Sequence, residues 1–90
     1  MKELSDPRKI LLYPQLAEKS MGMVEIENKL VFMVSTKAKR KEIKQAVEKS
    51  FDVKVIKVST MITTRGEKKA FIKLHPDNSA ADIASRLGML

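Results

Sequence analysis

The stretch VKVIKVSTMITTRGEKKAFIKLHP, residues 53–76, decides the fold of this chain. β-Branched residues occupy most of Val53–Thr63, which predicts one long strand. Arg65-Gly66-Glu67 has the composition of a turn, and Lys68–Pro76 follows as the antiparallel partner strand. The apolar residues of that second strand alternate with polar ones and share one face: Ala70, Ile72 and Leu74. The stretch therefore predicts a β-hairpin that buries one side against the rest of the protein.

An amphipathic helix is predicted just before this hairpin, in TKAKRKEIKQAVEKSF, residues 36–51, with Thr36 as its N-cap. Apolar side chains recur at helical spacing and share one face: Ile43, Ala46, Val47 and Phe51. Four cations lie in or just before the first turn: Lys37, Lys39, Arg40 and Lys41. Because a helix N-terminus carries about half a positive charge, this placement opposes folding and indicates another role.

The rest of the chain completes an alternating order of strands and helices. The further predicted elements are a strand at Lys9–Leu12 ended by Pro14, a helix at residues 15–26, a turn at Asn28, a central strand at Leu30–Ser35, and a short helix that Ser79–Asp82 opens and Gly88 ends. The order β-α-β-α-β-β-α predicts an α+β fold. We expect a small sandwich, one domain over residues 1–90, in which a four-stranded antiparallel or mixed sheet packs with helices.

Length and composition narrow the class of protein. Ninety residues allow one domain with a modest core, and a hydrophobic content of 43% is too high for a disordered tail. No apolar run approaches the roughly 18 residues of a membrane span, and the first ten residues lack the apolar block of a signal peptide. The absence of cysteine excludes disulfides and thiolate metal ligands. The expectation is a soluble cytoplasmic protein without membrane insertion.

Positive charge is concentrated in the middle of the chain. The net charge is +7, and residues 37–73 hold 12 Lys and Arg against 4 Asp and Glu, a net of +8; the remaining residues sum to −1. One-sided basic domains typically bind a polyanion, most often a nucleic acid. The alternative is a lysine-rich solvated surface of the kind found in thermophile proteins.

Three basic groups are separable along this middle region: Lys37, Lys39, Arg40, Lys41 and Lys44; Lys54 and Lys57; and Arg65, Lys68, Lys69 and Lys73. The second and third groups fall on the paired strands and their turn, where like charges opposite one another are destabilising. A phosphate backbone would relieve these conflicts, and free N–H groups at the helix start would add donors for the same anion.

Few residues could support catalysis or metal binding. The single histidine, His75, lies at a strand end, and the three glycines form no phosphate-binding loop. Glu25 and Glu27 point to different sides of a helix, so they are unsuited to act as an acid–base pair. No cofactor is expected. With Phe32 and Phe51 needed by the core, base stacking is a weak prospect, and recognition of folded RNA or a duplex by shape and charge is favoured.

The segment EIKQAVEKSFDVKVIKV, residues 42–58, resembles the ribosomal protein L23 family of the large ribosomal subunit. The resemblance extends to Pro14 followed by Glu18-Lys19-Ser20, and to Gly66-Glu67-Lys68-Lys69 in the hairpin. Two positions depart from the family pattern: Ala17 replaces a small hydroxyl residue, and Ser59-Thr60 replaces Asn-Thr. The very short hairpin turn is closer to archaeal members, so no tunnel-lining extension is expected.

The resemblance implies a non-enzymatic ribosomal protein that binds large-subunit ribosomal RNA beside neighbouring ribosomal proteins at the peptide exit tunnel. It also implies a docking site for nascent-chain factors such as signal recognition particle. Glu18 matches a factor-docking glutamate of bacterial relatives, although a first-turn glutamate equally stabilises its own helix. The candidate RNA-binding set consists of the three basic groups together with Arg8, Lys9, Lys19 and Ser20.

Two other classes of protein remain open. A free-standing RNA- or DNA-binding regulator would use the same basic surface without a ribosome. A ferredoxin-like small enzyme would need a concave site with convergent polar groups.

Overall fold

The computed structural model describes the backbone of residues 7–15 and 18–87, and the side chains of residues 9–15 and 21–87. Its elements are α1 (Pro7–Ile10), β1 (Leu11–Pro14), α2 (Glu18–Glu27), β2 (Lys29–Val34), α3 (Arg40–Phe51), β3 (Val55–Ile62), β4 (Lys68–Leu74) and α4 (Ala80–Arg86). The predicted order β-α-β-α-β-β-α is confirmed, with one additional helical turn, α1, before β1. None of the described helices has the length and apolar character needed to cross a bilayer.

The four strands form one antiparallel sheet in the order β1-β2-β4-β3. The predicted hairpin is present as β3 and β4, joined by a tight turn in which Gly66 adopts φ +83°. β4 is a central strand because β2 pairs with its other edge, so that Ile72 lies between Leu30 and Val58. Of the two predicted arrangements, antiparallel and mixed, the antiparallel one is therefore correct.

The hydrophobic core lies between one face of the sheet and the helices. The alternating residues of β4, Ala70, Ile72 and Leu74, are at most 1% exposed, as the hairpin pattern predicts. They join one buried cluster with residues from the helices: Val24 of α2, Ile43, Ala46 and Val47 of α3, and Ile83 of α4. Phe51 is partly buried against this cluster, and its ring centroid lies 6.1 Å from that of Phe32. The fold is thus two layers, one of helices and one of strands.

The predicted start of the chain is wrong in detail. Lys9 belongs to the helical turn α1, and the first strand begins at Leu11 and includes Pro14. Pro14 is tolerated because β1 is an edge strand, where a missing N–H need not break the ladder. α2 begins at Glu18 and not at Gln15. Within the predicted helical segment, Leu16 and Ala17 lie outside the described residues, as does Gly88 at the predicted end of α4.

Two further boundaries differ from the prediction. The N-cap of α3 is Lys39 and not Thr36, because the chain first makes a turn in which the Ala38 N–H donates to the Ser35 carbonyl at 3.0 Å. β3 begins at Val55 and not at Val53, because Asp52 adopts a left-handed conformation (φ 54°, ψ 50°) that ends α3 and redirects the chain.

Asn28 ties three segments together at one end of the sheet. It adopts a left-handed conformation (φ 56°), as suits the predicted turn. Its Nδ2 lies 2.9 Å from the carbonyl oxygen of Asn78 and 3.4 Å from those of Leu74 and His75. Its Oδ1 accepts the Ala80 N–H at 2.8 Å, at the start of α4. One side chain therefore joins β2, the end of β4 and α4.

Candidate nucleic-acid interface

The turn before α3 determines where its lysines point. Ala38 is fully buried, whereas Lys37 and Lys39 on either side of it are exposed. The Ala38 carbonyl accepts a hydrogen bond from the Lys68 Nζ at 2.6 Å, which fastens the turn to the start of β4. Burial of the one small apolar residue therefore leaves both neighbouring lysine side chains in solvent.

Five cations around this turn form the group that we call the α3 basic cluster: Lys37, Lys39, Arg40, Lys41 and Lys44. All five are exposed, and among the described side chains no ion pair involves them. The first turn also contains Glu42, whose carboxylate accepts the Lys39 N–H at 2.8 Å. The Lys39 N–H is therefore already engaged within the helix and is not among the N–H groups that could donate to an anion.

The other basic surface lies on the face of the sheet opposite the helices, which we call the helix-free face. Residues paired across antiparallel strands share a face. Val31 and Met33 of β2 are at most 4% exposed, yet they are not part of the cluster that includes the helices. They therefore lie on the helix-free face, together with their β4 partners Phe71 and Lys69.

Three neighbouring strands each place a lysine at the same level of the helix-free face. Lys73 of β4 pairs with Lys57 of β3 on one side and with Lys29 of β2 on the other. We call these three residues the lysine row. The Lys29 ammonium lies 3.1 Å from the Glu27 carboxylate, and the Lys73 ammonium donates to the Glu27 carbonyl at 3.0 Å. Lys57 is exposed, and its ammonium lies within ion-pair distance of no described carboxylate.

The remaining predicted RNA-binding residues are dispersed. Lys54 is exposed in the loop before β3, Arg65 in the β3–β4 turn, and Lys9 in α1. Lys68 points to the helix side of the sheet, where Ala38 engages its ammonium, so the third predicted group is divided between two faces. The side chains of Arg8, Glu18, Lys19 and Ser20 lie outside the described residues.

A cleft of about 310 Å³ opens between β1, the end of β2 and the β3–β4 turn. The Tyr13 hydroxyl donates to the Glu67 carboxylate at 3.2 Å across its mouth, and Lys9, Leu12 and Met33 also line it. Partial burial of the phenol, followed by the hydrogen bond and negative charge of Glu67, raises the pKa of Tyr13. This hydrogen bond connects β1 to the β3–β4 turn.

Among the described residues, no three His, Asp or Glu side chains are grouped so that they could hold a metal ion. His75 lies 3.5 Å from the Asp77 carboxylate, and the Asp77 N–H donates to its Nδ1 at 3.0 Å. These contacts involve adjacent residues of the turn that leads from β4 to α4, so His75 takes part in local turn structure.

Sequence reasoning placed Lys57 and Lys73 on paired strands, but it did not add Lys29 to them or identify the position of Phe71. The alternation of Lys69, Phe71 and Lys73 with the apolar positions of β4 already signals that these three share the opposite face. That signal was available within the hairpin. The proximity of Lys29 could not be predicted in this way, because it depends on the register of β2 with β4. These two strands lie about 40 residues apart in the chain.

One comparison with known proteins bears on this surface. A family model described as Ribosomal protein L23 matches residues 9–81. The match includes β1 to β4, the α3 basic cluster and the lysine row.

Proposed function

The chain belongs to the ribosomal protein L23 family and is therefore a structural protein of the large ribosomal subunit, and we propose that it binds large-subunit ribosomal RNA through the α3 basic cluster. The observation that carries the proposal is that all five cations of this cluster are exposed and none lies within ion-pair distance of a described carboxylate. Positive charges at a helix N-terminus oppose the helix dipole, and they also repel one another. RNA phosphates would neutralise them and release counterions on binding.

The form of this surface favours recognition of an RNA backbone. The five cations lie in the turn before α3 and in the first turns of α3, and residues 37–44 include no aromatic residue. Lysine and arginine side chains contact phosphates without reading base identity, whereas an A-form duplex offers its bases poorly to side chains. We therefore assign the α3 basic cluster to the backbone of folded, largely paired ribosomal RNA. The function proposed is structural and non-catalytic.

The family also supports a proposal about location and partners. We place the protein in the cytoplasm, at the exit tunnel of the large subunit beside other ribosomal proteins, as one unit over residues 1–90. There it would contribute to a docking site for nascent-chain factors such as signal recognition particle. Glu18 is the first residue of α2 and is the candidate docking residue. Glu18→Ala should lower factor binding to reconstituted large subunits while ribosomal RNA binding is unchanged.

Sedimentation with large subunits in high salt tests the ribosomal role directly. A ribosomal component should remain with the subunit after a high-salt wash, because it is held by many contacts of RNA and protein. A free-standing RNA- or DNA-binding regulator should be released, because its phosphate contacts weaken with salt. Release of the wild-type protein, with retention of other ribosomal proteins in the same pellet, would contradict the proposal and favour the regulator.

A further inference from the structure

The helix-free face is ordered as three levels across the sheet. The first level is the lysine row. The second consists of Val31, Phe71 and Ser59, and the third of Met33, Lys69 and Met61, with Tyr13 of β1 beside Met33. Neighbouring strands are about 4.8 Å apart and successive levels about 6.8 Å apart. Phe71 therefore lies near the middle of this face, one level from the lysine row and one level from Lys69.

Phe71 is positioned differently from the other two phenylalanines. Phe32 and Phe51 pack together on the helix side of the sheet. Phe71 is partly exposed on a central strand, and its two cross-strand neighbours, Val31 and Ser59, are smaller than it is. No described helix lies over this face. Val31 and Met33 beside it are buried, whereas the Phe71 ring is partly accessible. An aromatic ring at the centre of a sheet face, with cations two residues away on both sides, has the composition of a surface that stacks single-stranded bases.

The charge on this face is predominantly positive, with the Glu67 carboxylate at its far edge beside Tyr13. The residues of β1 to β4 include no Asp or Glu, whereas the helix-free face includes the lysine row and Lys69. Glu27, at the end of α2, is the described acid that contacts the row, and it engages Lys29 and Lys73 and not Lys57. Like charges in register across a sheet are destabilising. The face is therefore complementary to a ligand that carries several negative charges along a line.

We propose that the helix-free face binds an unpaired segment of RNA, with one base stacked on Phe71 and the neighbouring phosphates on the lysine row and Lys69. This inference rests on the proposed function, since it assumes that the protein binds RNA, and it adds a second type of RNA element to the paired RNA at the α3 basic cluster. A duplex does not satisfy this face, because its bases are already stacked and paired. A single strand supplies both an open base face and a line of phosphates.

The test compares one labelled single-stranded RNA octamer of mixed sequence with a blunt, fully paired RNA duplex, by fluorescence anisotropy with the full chain. Phe71→Leu keeps an apolar side chain and removes the ring. It should weaken octamer binding at least about fivefold, the low end of what one base–aromatic stack contributes, and should change duplex binding less than twofold. In NMR spectra, the octamer should shift the Phe71 ring protons upfield, an effect that a purely structural ring would not show.

Matched lysine variants separate the lysine row from general electrostatics. Lys57→Gln and Lys49→Gln remove the same charge from two exposed positions, one in the lysine row and one in the last turn of α3. Both residues are exposed, so neither change threatens folding. Lys57→Gln should weaken octamer binding several-fold more than Lys49→Gln does. Equal effects of the two variants would contradict a defined path for the phosphates.

The outcomes distinguish this inference from the proposed function. If the wild type binds the duplex but not the octamer, or if Phe71→Leu leaves octamer binding unchanged, the helix-free face has another occupant, such as a neighbouring protein. The inference then fails while the proposed function stands. If the wild type binds neither RNA, the proposed function fails with it.

Discussion

At the scale of single residues, Asn28 shows how one polar side chain can determine the end of a sheet. Its amide group donates towards three carbonyl oxygens and accepts one N–H, from segments between 46 and 52 residues away in the chain. Because the group is partly buried, an unsatisfied atom there would lose most of its hydration without compensation. No other type of side chain offers two donors and an acceptor on so short a stem while tolerating a left-handed backbone.

Replacing Asn28 with Asp should destabilise the protein by about 1–3 kcal/mol, because a carboxylate would face carbonyl oxygens that now accept from an amide. Thermal and urea unfolding measure the effect. Asn78→Asp is the matched control. The Asn78 side-chain oxygen accepts the Lys54 N–H at 2.8 Å, and a carboxylate can make the same bond, so this variant should be close to neutral. Equal losses from the two variants would argue against the role assigned to the Asn28 amide.

Phe51 offers a second test at this scale. Its ring closes the apolar face of α3 and packs beside Phe32, but it is only partly buried. Phe51→Ala should therefore cost about 3 kcal/mol, the low end of the range for buried phenylalanine. Phe51→Leu should cost clearly less, because it fills part of the same volume. A melting temperature unchanged in the alanine variant would show that the contact with Phe32 contributes nothing to stability.

At the scale of elements, α3 contributes one face to the core and, under the proposed function, its N-terminal end to RNA binding. Its inner face contributes Ile43, Ala46 and Val47 to the core, and its C-terminal half connects to β3 through the Glu48 carboxylate, which accepts the Val55 N–H at 3.0 Å. Its first turn holds cations that the core does not use. Glu42 offsets part of their cost, since it brings negative charge to the positive end of the helix and caps one N–H.

The triple variant with Lys39, Arg40 and Lys41 changed to Gln should separate these roles. Without the three cations the isolated domain should be equally stable or slightly more stable, because they oppose the helix dipole. Binding to a paired ribosomal RNA fragment should weaken, and the slope of log K against log salt should fall in magnitude by up to about 0.9 per lost contact, the value for duplex DNA. Thermal melts and salt-titrated binding are the measurements.

The opposite signs of the two effects make this prediction specific. A solvated lysine surface would change neither stability nor binding by much. If the triple variant is less stable but binds as well as the wild type, the three cations serve the fold and the α3 basic cluster is wrongly assigned.

The helices and strands were more predictable from sequence than their boundaries and the turns that connect them. Periodicity located the helix face of Ile43, Ala46 and Val47 and the buried positions of β4, because both patterns arise from burial against one core. The boundaries at Lys39 and Val55 depended on a turn around Ala38 and a left-handed Asp52, which local composition does not reveal. The complete helix-free face was missed because the contribution of β2 depends on its register with β4, which becomes known only when the sheet is assembled.

At the scale of the whole molecule, the two basic surfaces lie on opposite layers of the fold. The α3 basic cluster belongs to the helix layer, and the lysine row belongs to the helix-free face of the strand layer. Under the proposals above, one domain contacts RNA on two sides. A protein placed in this way would occupy a position between RNA segments and would act as a structural spacer, which suits a component of the large subunit.

Affinity for ribosomal RNA should therefore depend steeply on salt. With roughly 6–10 phosphate contacts in total, binding of the full chain should fall by about 10³–10⁵ between 50 and 200 mM monovalent salt. Anisotropy titrations on a large-subunit RNA fragment, with the triple α3 variant in parallel as the lower-slope control, measure this dependence. A flat response of the wild type would contradict phosphate contacts as the main source of affinity.

From the strand order β1-β2-β4-β3 we also expect a limit on how early the protein can fold during its own synthesis. β2 is flanked by β1, which precedes it in the chain, and by β4, whose residues are translated about 40 positions later. Until Lys68–Leu74 has emerged, β2 has one bonded edge, and Leu30, Phe32 and Val34 lack the strand beside which they are buried. Pairing β2 with β4 closes a long loop at an entropic cost, whereas the β3–β4 hairpin is local and does not complete the core by itself. We therefore expect the core of the nascent chain to be completed late, once β4 has emerged to pair with both of its neighbours.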